Sequence, residues 1–228
     1  MSTDAPGAAA RMREVAALAS RFWRGFGHKG PRGPGDGPPA MVIPGFIAND
    51  RTTTELRRAL AEAGFRVHPW RQGINLGART DTLERLKRAV DLCGAEQPLL
   101  LVGWSLGGLY ARELARAEPQ RVRAVVTLGS PVWGDPRRYT NVWKLYERVA
   151  RHRVDKAPIP NIEEKPPVPT LAIWSSRDGI VGAPSARGTE ETRDKAVEVP
   201  TTHMGFAVSR KGTRAAVREI VAFLDEVA

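Results

Sequence analysis

Ser105 stands in Gly103-Trp104-Ser105-Leu106-Gly107, directly after the apolar run Leu99-Leu100-Leu101-Val102 and before a helix-like stretch. A serine in G-x-S-x-G at a sharp strand-to-helix turn is held in a strained backbone with its Oγ exposed above the sheet. Glycines at 103 and 107 remove side chains that would collide there, and the following helix aims free N–H groups at the same point. The chemistry this suits is nucleophilic attack on an acyl carbon. The competing reading, an ordinary Gly-rich turn, is weakened by the strand on one side and the helix on the other.

A serine hydroxyl needs a base to take its proton, and the base needs an orienting acid. Around such a turn the chain order runs Ser, acid, His, with acid and His each following a strand end. Asp178 follows the apolar run Thr170–Trp174, and His203 follows the last strand candidate, Ala196–Val199. Asp194 precedes that strand, and Asp135 and Asp155 lie in an irregular stretch, so Asp178 is the best choice of acid. His28, His68 and His152 read as structural or solvated histidines. An oxyanion formed on attack needs positioned donors. The backbone N–H of Leu106 is one, and that of Phe46, in Ile43-Pro44-Gly45-Phe46, is the natural second, because Pro44 has no N–H.

The elements that must position these groups alternate along the chain. Strand candidates lie at 41–43, 65–70, 98–103, 122–128, 170–174 and 196–199, and helix-like stretches at 50–63, 80–95, 106–117 and 205–227. Such alternation implies a mostly parallel sheet covered on both faces. In the second helix, Leu83, Leu86, Val90 and Cys93 share one apolar face, which makes Cys93 a small core residue. Residues 131–168 interrupt the alternation as a lid-like excursion without a clear strand; a loop this long is often functional, and the alternative is an extension of the scaffold.

Ahead of residue 40 the pattern differs. From Ala9 to Arg24 the residues Met12, Val15, Ala19, Phe22 and Phe26 follow helical spacing, with arginines outside the stripe. Such a stripe packs on the body of a protein or, over residues 9–26, makes peripheral contact with an anionic membrane. The Gly/Pro-rich stretch 25–39 reads as a linker, which divides the chain into an N-terminal part, 1–39, and a main domain, 40–228. Its Gly25-x-Gly27-x-x-Gly30 has neither a strand before it nor a helix after it, so the dinucleotide-binding reading is rejected.

With 228 residues, 42% hydrophobic and 26% charged, the composition is that of a globular chain. The lone Cys93 excludes an internal disulfide and a cysteine-rich zinc site. The net charge is +10, of which residues 1–40 and 131–168 carry +3 each, so the excess forms no single stripe and argues against nucleic acid. The absence of a long apolar run or a signal-like h-region gives the expectation of a cytoplasmic protein, with membrane-peripheral contact as the variant.

Together, Pro44-Gly45-Phe46, GWSLGG at 103–108, VTLGSP at 126–131, SRDGIV at 176–181 and THMGF at 202–206 resemble the α/β-hydrolase superfamily, in particular its compact bacterial lipase- and esterase-like members. The resemblance covers about residues 40–228. It implies a reduced, mostly parallel sheet of about six strands with helices on both faces. It also implies a serine esterase or lipase with Ser105 as nucleophile, His203 as base and Asp178 as orienting acid. Many relatives carry His-Gly where this chain has Pro44-Gly45, and the usual first antiparallel strands are missing. The mechanism needs no metal or organic cofactor. The expected substrate is a small-molecule acyl ester or lipid, with Trp104, Trp133, Trp143 and Met204 as candidates to line an acyl pocket. Acyl transfer or thioester hydrolysis on the same triad, and a non-catalytic binding protein on a hydrolase scaffold, are the alternatives.

Overall fold

The structure, a computed structural model, describes residues 4–7, 9–14, 32–159 and 162–228. Six strands form one sheet: β1 (Pro39–Ile43), β2 (Arg66–Pro69), β3 (Leu99–Trp104), β4 (Val122–Leu128), β5 (Thr170–Trp174) and β6 (Lys195–Glu198). Their order is β2-β1-β3-β4-β5-β6, and every pairing is parallel. The inner strands β1 and β3 run as unbroken apolar segments because both faces are covered, whereas the edge strands β2 and β6 are only partly buried. Every residue of β1 and β3 is buried.

Period-two alternation divides the strand side chains between two cores. Val42, Leu100, Val102, Val126 and Ile173 face one side, under helices α1 (Thr54–Glu62) and α8 (Arg210–Glu226). Met41, Ile43, Leu101 and Val125 face the other, under α2 (Thr82–Asp91) and α3 (Leu106–Ala117). Each fully buried Val, Leu or Ile side chain contributes about 1.5–3 kcal/mol. The expectation of an α/β-hydrolase fold with about six strands and helices on both faces is met.

Two details depart from the expected elements. The helix-like stretch 205–227 is two helices, α7 (Gly205–Val208) and α8, because Ser209 is extended (φ −93°, ψ 123°) and its side chain accepts from the Gly212 N–H to cap α8. A short α6 (Ala183–Arg187) starts after Gly182 with Pro184 in its first turn.

The excursion between β4 and β5 carries α4 (Pro136–Tyr139) and α5 (Trp143–Ala150). Its far end is clamped by Arg112 of α3, which is 1% exposed. The guanidinium donates to the carbonyls of Thr192 (2.6 Å), Glu163 (2.7 Å) and Glu164 (3.0 Å). A buried cation is tolerable only with such partners. Burial lowers its pKa to about 10, which still leaves it charged at neutral pH.

The first residues meet the body by an unexpected face. Residues 9–14 are helical, but Met12 is 74% exposed whereas Glu14 is buried. The expected apolar stripe therefore does not make the contact in this turn; the carboxylate does. Val15, Ala19, Phe22, Phe26, the glycine pattern at 25–30 and His28 lie outside the described residues. Among the described residues no helix is long and apolar enough to cross a membrane.

Candidate active site

Ser105 joins β3 to α3 with φ 54° and ψ −123°, a backbone that L side chains rarely adopt. Such strain persists only when the surroundings over-determine it. Here the Ser105 N–H donates to the Leu128 carbonyl (2.9 Å), and its own carbonyl accepts from the Gly108 N–H (3.0 Å). The flanking glycines are needed for close approach. A Cβ on Gly103 would lie 2.3 Å from the Gly107 carbonyl oxygen, and one on Gly107 would lie 2.2 Å from that of Ile43. No side chain fits either position.

His203 and Asp178 meet although 25 residues separate them. His203 Nδ1 lies 2.7 Å from Asp178 Oδ2, and both side chains are buried. The other carboxylate oxygen, Oδ1, accepts from the N–H groups of Ile180 and Val181, each at 2.8 Å. Asp178 thus has one oxygen pinned by backbone and one left for the imidazole. The loops bearing the two residues are joined through Ser175, whose Oγ donates to the Thr201 carbonyl (2.6 Å) and accepts from the Thr201 N–H (3.2 Å).

Two contacts bring this pair to the Ser105 turn. Gly129, next to Leu128, lies against both: a Cβ there would sit 2.8 Å from Asp178 Oδ2 and 3.1 Å from His203 Nδ1. Trp104, adjacent to Ser105, donates its indole N–H to the His203 carbonyl (3.1 Å), and its ring centroid is 5.5 Å from the imidazole. Burial acts to lower the His203 pKa. The Asp178 carboxylate with its hydrogen bond, and the Glu14 carboxylate, outweigh it and hold the imidazole above the ordinary value of 6.5.

The loop after β1 abuts the turn as well. A Cβ on Gly45 would be 3.0 Å from Ser105 Cβ. Asn75, 2% exposed, fastens this loop. Its side-chain amide donates to the Pro44 carbonyl (2.9 Å), and its backbone exchanges bonds with Ile47 (2.7 Å) and Ala48 (2.8 Å). Asn75 Oδ1 accepts from the Gly77 N–H (3.2 Å) and the Tyr110 hydroxyl (3.4 Å). Nothing in the local sequence around Asn75 announces this role. Asn75→Ala leaves buried partners unpaired, and a loss of about 1–3 kcal/mol in unfolding free energy is expected in urea titration.

Ser105, Phe46 and Leu106 line an open cleft, walled also by Leu109, Trp143 and Tyr146. Its wall is mostly apolar, as in sites that take small organic ligands. Phe46 packs edge-on against Tyr146 of the excursion, ring centroids 5.2 Å apart. Leu106 is the first residue of α3, so its N–H has no partner within the helix.

Of the four residues expected around an acyl pocket, Trp143 alone is among the cleft-lining residues. Trp104 points into the core because it continues the inward alternation of β3. Met204 packs against the same core, and Trp133 lies tilted against Tyr139 with centroids 5.6 Å apart. The other described histidines have separate environments. His152 is bonded through Nε2 to the Ala78 carbonyl (3.0 Å), and His68 lies on the edge strand β2. Burial pushes the Cys93 thiol up to about 11, which fits a packing residue.

This fold and the turn at Ser105 define the class. The sequence profile of the alpha/beta hydrolase fold family matches residues 23–158, and the chain belongs to that family. Among particular relatives, a pimeloyl-[acyl-carrier protein] methyl ester esterase from Nitrosospira multiformis is 29% identical over 106 residues. That match covers 40% of this chain and 38% of the esterase, well under half of either protein. An alpha/beta hydrolase from the sediment metagenome of the Mar Chica lagoon superposes with TM-score 0.57 at 21% identity, covering 84% of this chain and 93% of its own. The naproxen esterase of Bacillus subtilis gives TM-score 0.53 at 16% identity, covering 83% and 85%.

Proposed function

We propose that this protein is a serine hydrolase that cleaves carboxylic esters through an acyl-enzyme intermediate, with Ser105, His203 and Asp178 as its triad. The observation that carries the reading is the buried His203–Asp178 pair gathered at the strained Ser105 turn, beside an apolar cleft. Because Nδ1 is engaged by Asp178, Nε2 is the nitrogen that accepts the Ser105 proton. Ser105 Oγ then bonds to the ester carbonyl carbon, and the oxygen that gains the charge is received by the N–H groups of Phe46 and Leu106. Collapse expels the alcohol, which takes its proton from His203. Water, deprotonated by the same imidazole, attacks the acyl-enzyme and releases the acid.

The cleft supports a substrate with an apolar acyl or alcohol part lying against Leu109 and Trp143. In this reading the excursion 131–168 gates access to the cleft, the first of the two roles, lid or scaffold extension, that its length left open. The name of the Nitrosospira relative supports the ester class, but its match spans too little of that protein to transfer a substrate.

Labelling of the intact protein by a fluorophosphonate, with a series of short- to long-chain acyl esters, tests the proposal. Stoichiometric labelling at Ser105 with ester turnover is the expected result, whereas folded protein that neither labels nor turns over esters would return the site to a binding role. Acyl-CoA substrates and alcohol acceptors in the same assay separate hydrolysis of oxygen esters from thioester hydrolysis and acyl transfer. A lid predicts a jump in rate as substrate passes from monomer to micelle.

The raised His203 pKa also has a direction in this mechanism. Proton acceptance needs the neutral imidazole, so kcat/KM falls as pH drops through the His203 pKa, with a midpoint above 6.5. A pH profile with its acid limb centred at or below 6.5 would contradict that placement.

A further inference from the structure

Glu14 is a buried carboxylate far upstream of every residue assigned to the site, and it bonds to the site's own loops. Oε1 accepts from the N–H of Gly179 (2.8 Å) and the N–H of His203 (2.7 Å), and Oε2 accepts from the N–H of Met204 (2.8 Å). Gly179 directly follows Asp178. One side chain therefore bridges the backbone beside the acid and the backbone of the base. A buried charge must be satisfied, and three charge-assisted bonds to amides in fixed loops satisfy it.

The rest of the described N-terminal segment runs alongside. Asp4 pairs with Arg138 (2.7 Å), the Pro6 carbonyl accepts from the Asn141 side chain (2.8 Å), and the Ala10 carbonyl is pressed against Gly179. A Cβ on Gly179 would fall 2.4 Å from that carbonyl oxygen and 2.8 Å from Glu14 Cγ. Asn141 also donates to the Gly179 carbonyl (3.0 Å), so the strap is tied both to the start of the excursion and to the Asp178 loop.

We infer that Glu14 is a positioning residue: through this strap it locks the loops of Asp178 and His203 against each other and so holds the imidazole in line with Ser105. The inference rests on the serine-hydrolase reading of the site, and it assigns the N-terminal segment a part in the reaction. Glu14 touches neither substrate nor reacting atoms. It acts by two routes, loop geometry and charge. The titratable groups that face His203 among the described residues are Asp178 from the loop after β5 and Glu14 from the strap; Trp104 from β3 and Phe206 from α7 contribute no charge.

Glu14→Gln keeps the shape but places an amide N–H₂ where one or more backbone N–H groups need an acceptor. The expected result is a fall in kcat of about ten- to a hundredfold with KM within about twofold, because geometry is lost and substrate contacts are not. The acid limb of the pH profile is expected to move to lower pH as one negative charge leaves the histidine. Gly179→Ala, which pushes Glu14 and the rest of the strap away without removing a charge, is expected to lower kcat as well. The ring pKa of His203, followed by NMR titration in the parent and Glu14→Gln proteins, reads the charge effect even in the absence of turnover. A ring pKa and a kcat both unchanged in Glu14→Gln would overturn the inference. Should that variant not fold, rapid hydrogen exchange of the Gly179, His203 and Met204 amides in the parent protein would overturn it equally. Failure of the parent to react with a fluorophosphonate removes the hydrolase reading instead, and leaves the NMR result to judge the strap alone.

Discussion

Ser105→Ala is expected to lower ester turnover by about 10⁶-fold in kcat and to abolish fluorophosphonate labelling, with little change in stability. The hydroxyl is the sole atom that becomes covalently attached to the acyl group in the proposed route, so nothing else in the cleft replaces it. Alanine keeps the Cβ and both backbone bonds of the turn, to Leu128 and Gly108, so the strained φ of 54° is retained. What remains is a cleft that binds and polarises an ester without attacking it. The measurement is active-site-titrated kcat on the best ester of the chain-length series, together with a thermal melt. Turnover within tenfold of the parent, in pure and folded variant, would eliminate Ser105 as the nucleophile.

Asp178→Asn is expected to lower kcat by about 10⁴-fold while leaving the fold in place. The argument comes from how the carboxylate is held. Oδ1 accepts from two backbone N–H groups, of Ile180 and Val181, and this position can be filled only by an acceptor. In the asparagine variant the amide oxygen takes that place, and the amide N–H₂ faces His203 Nδ1. The imidazole must then accept at Nδ1 and carry its proton on Nε2, the nitrogen that should receive the Ser105 proton. Geometry is kept and the tautomer is reversed. Removing the carboxylate also takes away a main support for the raised His203 pKa, so the residual activity is expected to persist to lower pH than in the parent. A variant with kcat near that of the parent at neutral pH would show that another group orients the histidine.

The elements were legible wherever the signal is local. Val122–Leu128 and Thr170–Trp174 read as buried strands because a short, mostly apolar run with β-branched residues between turn residues favours a strand, and the structure has strands over those residues. Ser105 was legible for the same reason: the strain of its turn demands glycines two residues away on either side. Asp178 and His203 were legible as positions at strand ends. The residues that line the cleft were not. Trp104, Trp133, Trp143 and Met204 are all large and apolar, and what separates Trp143 from the other three is direction, which depends on how β3 and the excursion pack. A single helix over 205–227 looked continuous because the break at Ser209 is made by a cap, and its extended backbone leaves no trace in apolar spacing.

The amino-acid order by itself determined the layered architecture and the serine turn, since both follow from periodicity and from steric demands within a few residues of each other. The tertiary structure alone decided which polar side chains hold the loops around that turn in place. Asn75 fastens the loop beside Ser105, Arg112 anchors the end of the excursion, and Glu14 ties down the loops of Asp178 and His203. Each is a polar side chain whose partners are mostly backbone amides or carbonyls. Such partners are present at every position of a chain, so only the folded path selects which of them it meets.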